Sequence, residues 1–84
     1  MYYVYILYSK DLDRYYIGST SDTQTRLTKH LSEHSGFTGK AKDWEIVWTE
    51  LQENKTAALV REKQIKQWKS RKMIMQLIED KNQL

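Results

Sequence analysis

Three short stretches of the chain have the composition of β-strands. Residues 2–8 are aromatic, β-branched or apolar throughout, which is typical of a central strand. A polar connection containing Asp11 and Asp13 leads to a second short strand at residues 15–18, and together they predict a β-hairpin. Aromatic and β-branched residues predict a third strand at residues 44–51.

Three further segments have helical spacing and capping signals. The first, residues 23–33, follows several N-cap candidates, of which Ser21 fits a capping box. The second, residues 56–69, begins after Asn54. Ser70 can cap the third helix, which is predicted to carry a buried face of Ile74, Leu77 and Ile78.

The resulting order of elements is β-β-α-β-α-α. Strands and helices do not alternate strictly, and a short turn joins the first two strands. The order therefore predicts a small antiparallel sheet with helices packed on it, in an α+β fold. A chain of 84 residues has room for one domain, so we expect residues 1–84 to form a single unit. Such a domain has a thin core, to which the 12% of aromatic residues contribute much of the burial.

Composition excludes several classes of protein. The chain has no Cys and two His, which argues against a disulfide scaffold, a cysteine nucleophile and a structural zinc site. It has no apolar run long enough to span a membrane, so we expect a soluble cytoplasmic protein without a membrane partner.

The net charge of +3 is unevenly distributed. Seven Lys/Arg residues and one carboxylate, Glu62, lie between Lys55 and Lys72. Charge runs are most often solvated helix faces. The density of positive charge here favours instead an anionic partner such as the phosphates of a nucleic acid.

Two tyrosines and a polar pair are candidates for chemistry. All six tyrosines lie in the first sixteen residues, and cross-strand aromatic packing explains most of them. If Tyr5 lies opposite Tyr16 in the hairpin, both phenols project from one face, where positive charge could help them to move a proton. Arg26 and His30 share a face of the first helix. They are either ordinary solvated residues or a guanidinium and an imidazole that contact a phosphate.

Glu62 borders the apolar side of the second predicted helix, about 40° from Ala58 by helical geometry. It could be a surface partner of Lys66 four residues later. Alternatively, it is the single hard oxygen ligand of a Mg²⁺ ion that waters and a substrate phosphate also coordinate.

Taken together, these residues resemble the signature of the GIY-YIG nuclease superfamily. Tyr3-Val4-Tyr5 and Tyr16-Ile17-Gly18 resemble the two halves of the motif, with Tyr-Val-Tyr in place of Gly-Ile-Tyr. Arg26, His30 and Glu62 stand at the positions of the family's polar helix pair and metal-binding glutamate. The resemblance spans essentially the whole chain. It is strongest to the short stand-alone bacterial members, which are similar to the nuclease domain of the excision-repair endonuclease of DNA repair.

The resemblance implies a three-stranded antiparallel sheet flanked by helices and a metal-dependent endonuclease of nucleic acid, with DNA favoured over RNA as the substrate. It implies catalytic roles for Tyr5, Tyr16, Arg26 and His30, and a Mg²⁺ or Mn²⁺ ion on Glu62. We expect these five residues to converge on one concave surface. Four lysines would bind the nucleic-acid backbone: Lys40, Lys42, Lys63 and Lys66. A separate protein partner could supply specificity.

Two alternatives remain open at this stage. One is a nucleic-acid-binding module that keeps the fold but turns over little or no substrate. The other is a structural or interaction domain that uses its C-terminal helices as an oligomer interface.

Overall fold

The computed structural model describes residues 1–32 and 41–82, except for the side chains of residues 30–32, 81 and 82. The elements in chain order are β1 (Tyr2–Ser9), β2 (Arg14–Thr20), α1 (Thr23–Ser32), β3 (Glu45–Gln52), α2 (Lys55–Gln67) and α3 (Arg71–Asn82). The predicted order and the α+β class are confirmed. The expected end of the first helix at Glu33 and most of the loop at residues 37–43 lie outside the described residues.

The three strands form one antiparallel sheet in the order β2-β1-β3. The central strand β1 is the apolar one, as its composition predicts, and Val4, Ile6 and Leu7 are fully buried in it. Strands β2 and β3 therefore each have one edge that pairs with no other described strand.

The register of the hairpin differs from the predicted one. Tyr5 lies opposite Gly18, not opposite Tyr16, and Tyr16 lies opposite Leu7. The predicted pairing would require a turn two residues shorter. Instead, a connection of Lys10 to Asp13 closes the hairpin, with Asp13 in the left-handed region at φ 52°. The same pairing extends β2 to Thr20, so residues 19 and 20 belong to the strand rather than to a loop.

Helices cover the sheet on both sides. On one face, Val4, Ile6, Ile17 and Trp48 pack with apolar residues of α2 and α3, namely Ala58, Ile65, Ile74, Leu77 and Ile78. On the other face, Tyr5 and Leu7 pack with Ala41, Trp44 and Leu27 of α1. The predicted apolar face of α3 is thus confirmed at its three residues, which are partly buried against the sheet.

Helix capping is as predicted at two of three positions. The side chain of Asn54 accepts a hydrogen bond from the amide of Ala57, and the hydroxyl of Ser70 accepts one from that of Met73. For α1, the expectation of Ser21 is wrong, because the cap is Asp22. Its carboxylate accepts bonds from the amides two and three residues later, which also lowers its pKa.

A cluster of four side chains connects the hairpin to α3 through hydrogen bonds and ring contacts. Arg71 donates hydrogen bonds to the carboxylate and the carbonyl oxygen of Asp13, and its guanidinium lies 5.3 Å from the ring centroid of Tyr15. Tyr8 donates to the same carboxylate at 2.6 Å and packs on Tyr15 across the strands. The bonds from Arg71 and Tyr8 hold the pKa of Asp13 below its usual value. None of the described helices has the length and apolar character needed to cross a lipid bilayer.

Candidate active site at the edge of the sheet

Tyr5 crosses from the central strand toward the outer edge of β2 over a residue that has no side chain. A Cβ atom placed on Gly18 would lie 2.5 Å from the phenol oxygen of Tyr5 and 2.7 Å from its Cζ. The ring of Tyr16, on the same face of the sheet, lies 6.5 Å from that of Tyr5 between centroids. Glycine at position 18 is thus required by the close approach of the Tyr5 phenol, not by its backbone conformation.

Arg26 reaches the phenol of Tyr5 from α1. A guanidinium only donates hydrogen bonds, so the phenol oxygen is the acceptor in this contact. Burial, the largest influence, raises the pKa of Tyr5, while the bond from Arg26 opposes that rise. The net shift is upward, and Tyr5 is therefore a neutral phenol near neutral pH.

Glu62 approaches the same edge from the opposite layer of the domain. It lies on α2 between the buried residues Ala58 and Ile65, and 17% of its side chain is exposed. The hydroxyl of Ser19 donates to Oε1 of Glu62 at 2.7 Å, and Nζ of Lys66 lies 2.6 Å from Oε2. The predicted position of Glu62 at the border of the apolar face is confirmed, and so is its pairing with Lys66.

The two layers meet around β2. Gly18 and Ser19 are neighbours whose faces alternate, so Tyr5 passes over one side of the strand and Glu62 is bound on the other. The negative charge of Glu62 is close enough to contribute to the raised pKa of Tyr5. Tyr5, Arg26 and Glu62 therefore meet around an edge strand from both faces of the sheet, and not on the one concave surface that we expected.

Ser19 was not predicted as a site residue. The sequence places it directly after Tyr16-Ile17-Gly18, where polar residues suggested a helix cap. The signal that could have identified it is the strand period of two. If β2 continues past Gly18, Ser19 must face the layer of α2, where Glu62 lies.

The other predicted residues are less fully defined. His30 lies within α1, one turn beyond Arg26, but its side chain is outside the described part of the chain. Lys40 is likewise outside it. Lys42 and Lys63 are exposed, and Lys42 follows the buried Ala41, which packs on the same side of the sheet as Tyr5.

The basic segment, residues 55–72, presents less positive charge than its sequence indicates. Among the residues that the structure describes, three of its seven cations pair with carboxylates: Arg61 with Glu50, Lys66 with Glu62, and Arg71 with Asp13. The other four lysines of the segment are exposed: Lys55, Lys63, Lys69 and Lys72. A net charge of +6 over residues 55–72 thus overstates the positive charge that this surface presents.

The donor set suits one kind of metal site. Among the residues that the structure describes, no three His, Asp or Glu side chains come together in a way that could hold a metal ion. Glu62 provides one partly buried carboxylate whose orientation is fixed by Ser19. A Mg²⁺ or Mn²⁺ ion is commonly held by one or two carboxylates together with waters and a substrate phosphate, so Glu62 fits a substrate-completed site.

Fold and site together define a small α+β domain with two tyrosines, an arginine and a glutamate at a sheet edge. A comparison with protein families matches residues 1–76 to the GIY-YIG catalytic domain. The chain therefore belongs to the GIY-YIG family of nuclease domains, which generally use divalent metal ions. No curated protein and no solved structure matches it.

Proposed function

We propose that the protein is a metal-dependent endonuclease that hydrolyses phosphodiester bonds in nucleic acid, with DNA as its substrate. One observation carries the proposal. In a chain of the GIY-YIG family, Tyr5, Tyr16, Arg26 and Glu62 meet around the edge of β2. We also infer a cytoplasmic location. A separate protein partner would supply specificity, because the lysines proposed to contact the nucleic acid would bind its backbone and not its bases.

In this proposal Glu62 holds a single Mg²⁺ or Mn²⁺ ion, with Ser19 fixing the orientation of the carboxylate. The ion, when bound, supplies a Lewis acid that polarises the phosphate and stabilises the leaving oxygen. Lys66 is bonded to Glu62 before any substrate arrives. It is therefore positioned to neutralise the carboxylate in the absence of the ion and to contact a phosphate in its presence.

Tyr5 is proposed to orient the attacking water and to accept its proton while passing its own phenolic proton to a phosphate oxygen of the substrate. Its raised pKa argues against a standing phenolate, so a concerted relay fits better than a pre-formed base. Arg26 holds the phenol oxygen of Tyr5 and is placed to neutralise charge that develops on the phosphoryl oxygens. Tyr16 would hydrogen-bond the water or the phosphate, and His30 would support Tyr5 or the phosphate from the next turn of α1.

A second function is favoured by a specific observation. Glu62, the carboxylate proposed to hold the metal ion, is paired with Lys66, and a cation in that place competes with a metal ion for the carboxylate. The same surface could bind nucleic acid with little turnover, as a binding module that keeps the fold.

A panel of end-labelled substrates separates the two functions. Duplex, single-stranded and branched DNA and the corresponding RNA are incubated with the full chain in Mn²⁺, in Mg²⁺ and in EDTA. Internal cleavage that requires a metal ion supports the endonuclease. Salt-sensitive binding without cleavage of any substrate supports the binding module instead and contradicts the proposal.

A further inference from the structure

A cavity lies on the face of β2 that carries Ser19, directly beside the candidate active site. It has a volume of about 280 Å³ between β2 and the corner that joins α2 to α3. We call it the corner groove. Four cations and one carboxylate line it: Arg14, Lys66, Lys69, Arg71 and Asp13. Its floor is apolar, formed by Tyr15, Ile17, Ile65 and Ile74.

The charge of the corner groove sets it apart from neighbouring cavities. A cavity beside β3 is lined by Glu50 and Asp80, another beside α3 by Glu79, and one at the hairpin turn by Asp11 and Asp43 with a single lysine. An anionic ligand would be repelled or weakly held at those places. In the corner groove, the cations outnumber the carboxylates by three, and positive charge remains in excess after Arg71 is paired with Asp13 and Lys66 with Glu62.

The corner groove continues the candidate site along one strand. Tyr15, Ile17 and Ser19 lie on the same face of β2, so the groove and the Ser19–Glu62 bond are one strand repeat apart, about 7 Å. This is close to the separation of adjacent phosphates along one strand of a duplex, about 7 Å, because the backbone winds around the helix axis while it rises about 3.4 Å per nucleotide. Lys66 belongs to both places, because it lines the groove and is bonded to Glu62.

Lys69 stands at a backbone position that would suit glycine. It follows the C-cap of α2 with φ 47°, in the left-handed region that side chains disfavour. An exposed lysine at this position brings positive charge to the rim of the groove at a cost in backbone conformation. Arg14, also exposed, stands at the opposite rim, at the start of β2.

We propose that the corner groove binds a phosphate of the substrate backbone, about one nucleotide from the phosphate at Glu62. This inference rests on the proposed function and deepens it, since it gives the path of the strand past the site. The cations would contact the phosphate and the apolar floor would pack against a sugar. A groove lined mainly by cations contains few acceptors for base edges, so its contribution to binding is independent of sequence.

The test measures binding by fluorescence anisotropy with a fluorescein-labelled DNA duplex and its single strand, in Ca²⁺ and over a series of salt concentrations. The full chain is compared with Arg14→Gln, Lys69→Gly and, as the matched control, Lys72→Gln. The control removes the same charge from an exposed lysine that does not line the groove. Lys69→Gly removes a cation while relieving the backbone, so weaker binding by this variant cannot result from unfolding.

Each groove variant is expected to weaken binding about fivefold to tenfold at ~0.1 M salt and to reduce the salt slope by about one. The control should change binding by less than about twofold. Groove variants that bind DNA as tightly as the control does would overturn the proposed role of the groove and leave the proposed endonuclease function untouched. If the unaltered chain binds neither DNA, both proposals fall. Weakened binding by the groove variants of a protein that never cleaves supports the groove and contradicts the endonuclease.

Discussion

Replacing Gly18 with alanine tests whether the Tyr5 phenol occupies the place that the structure gives it. The new methyl group would lie 2.5 Å from the phenol oxygen, 2.7 Å from Cζ and 3.1 Å from Cε1. The first two distances are shorter than real Cβ contacts and the third is tighter than most of them. The ring has little room to withdraw because Tyr5 is only 2% exposed. Overpacking of this kind costs about 1–3 kcal/mol.

The assay is urea unfolding of the wild type and Gly18→Ala, repeated in a Tyr5→Leu background. In melting curves of the same proteins, the expected penalty corresponds to a fall in Tm of about 5–20 °C for a domain of this size. In the Tyr5→Leu background the phenol is absent, so Gly18→Ala should be neutral or slightly stabilising, because alanine restricts the unfolded chain more than glycine. The coupling free energy between the two positions should therefore approach the full penalty.

Activity provides a second readout of the same variant. A displaced phenol would no longer be held by Arg26, so metal-dependent cleavage by Gly18→Ala should fall even at temperatures at which the protein is folded. A Gly18→Ala protein that is as stable and as active as the wild type would refute the placement of Tyr5. An equal penalty in both backgrounds would show that Gly18 is required for its backbone and not for the phenol.

Three further outcomes are expected. Ser19→Ala should lower the free energy of unfolding in urea by about 1–2 kcal/mol and raise the metal concentration needed for cleavage, whereas Ser19→Thr should restore both. An unchanged metal requirement in Ser19→Ala would show that Ser19 does not orient Glu62. Lys69→Gly should stabilise the fold by about 1 kcal/mol, measured in the same way, and a loss of stability would contradict the strained backbone there. The lowered pKa of Asp13 means that its pairing stabilises the fold above about pH 4 and is lost as the pH falls through the folded pKa. Melting curves from pH 7 to pH 2 should show a smaller acid loss for Asp13→Asn than for the wild type, and identical slopes would contradict this.

The order of elements could be predicted from the sequence because the local signals agree with the tertiary structure. The apolar run of β1, the Asn54 and Ser70 caps and the apolar spacing of α3 each specify their element without knowledge of its neighbours. The hairpin register could not be predicted in this way. It depends on a turn whose length is set by the left-handed Asp13, and that residue is in turn bonded to Arg71, far along the chain.

The titratable and cationic residues of the candidate site could be predicted, because these residue types make up the sequence motif. The contacts between them are seen only in the structure. Ser19 bonds Glu62 only because β2 continues past Gly18, and the raised pKa of Tyr5 depends mainly on its burial, in a cluster with Trp44 and Leu27 of α1. Neither the extension of the strand nor the burial of the phenol is visible in the residue pattern alone.

The most direct test of the central claim is metal-dependent cleavage by Glu62→Gln, measured beside the wild type. Glutamine keeps the size of the side chain and an acceptor for Ser19 but removes the charge that would hold the metal ion. Glu53→Gln, which alters an exposed carboxylate between β3 and α2, is the matched control. Melting curves establish that all three proteins are folded.

We predict that Glu62→Gln loses at least about a hundredfold in single-turnover cleavage in Mn²⁺, because the ligand that positions the Lewis acid is lost. Its affinity for DNA should equal or exceed that of the wild type, since one negative charge leaves a basic surface. The control should cleave normally. Undiminished cleavage by folded Glu62→Gln would place the metal ion elsewhere and contradict the mechanism.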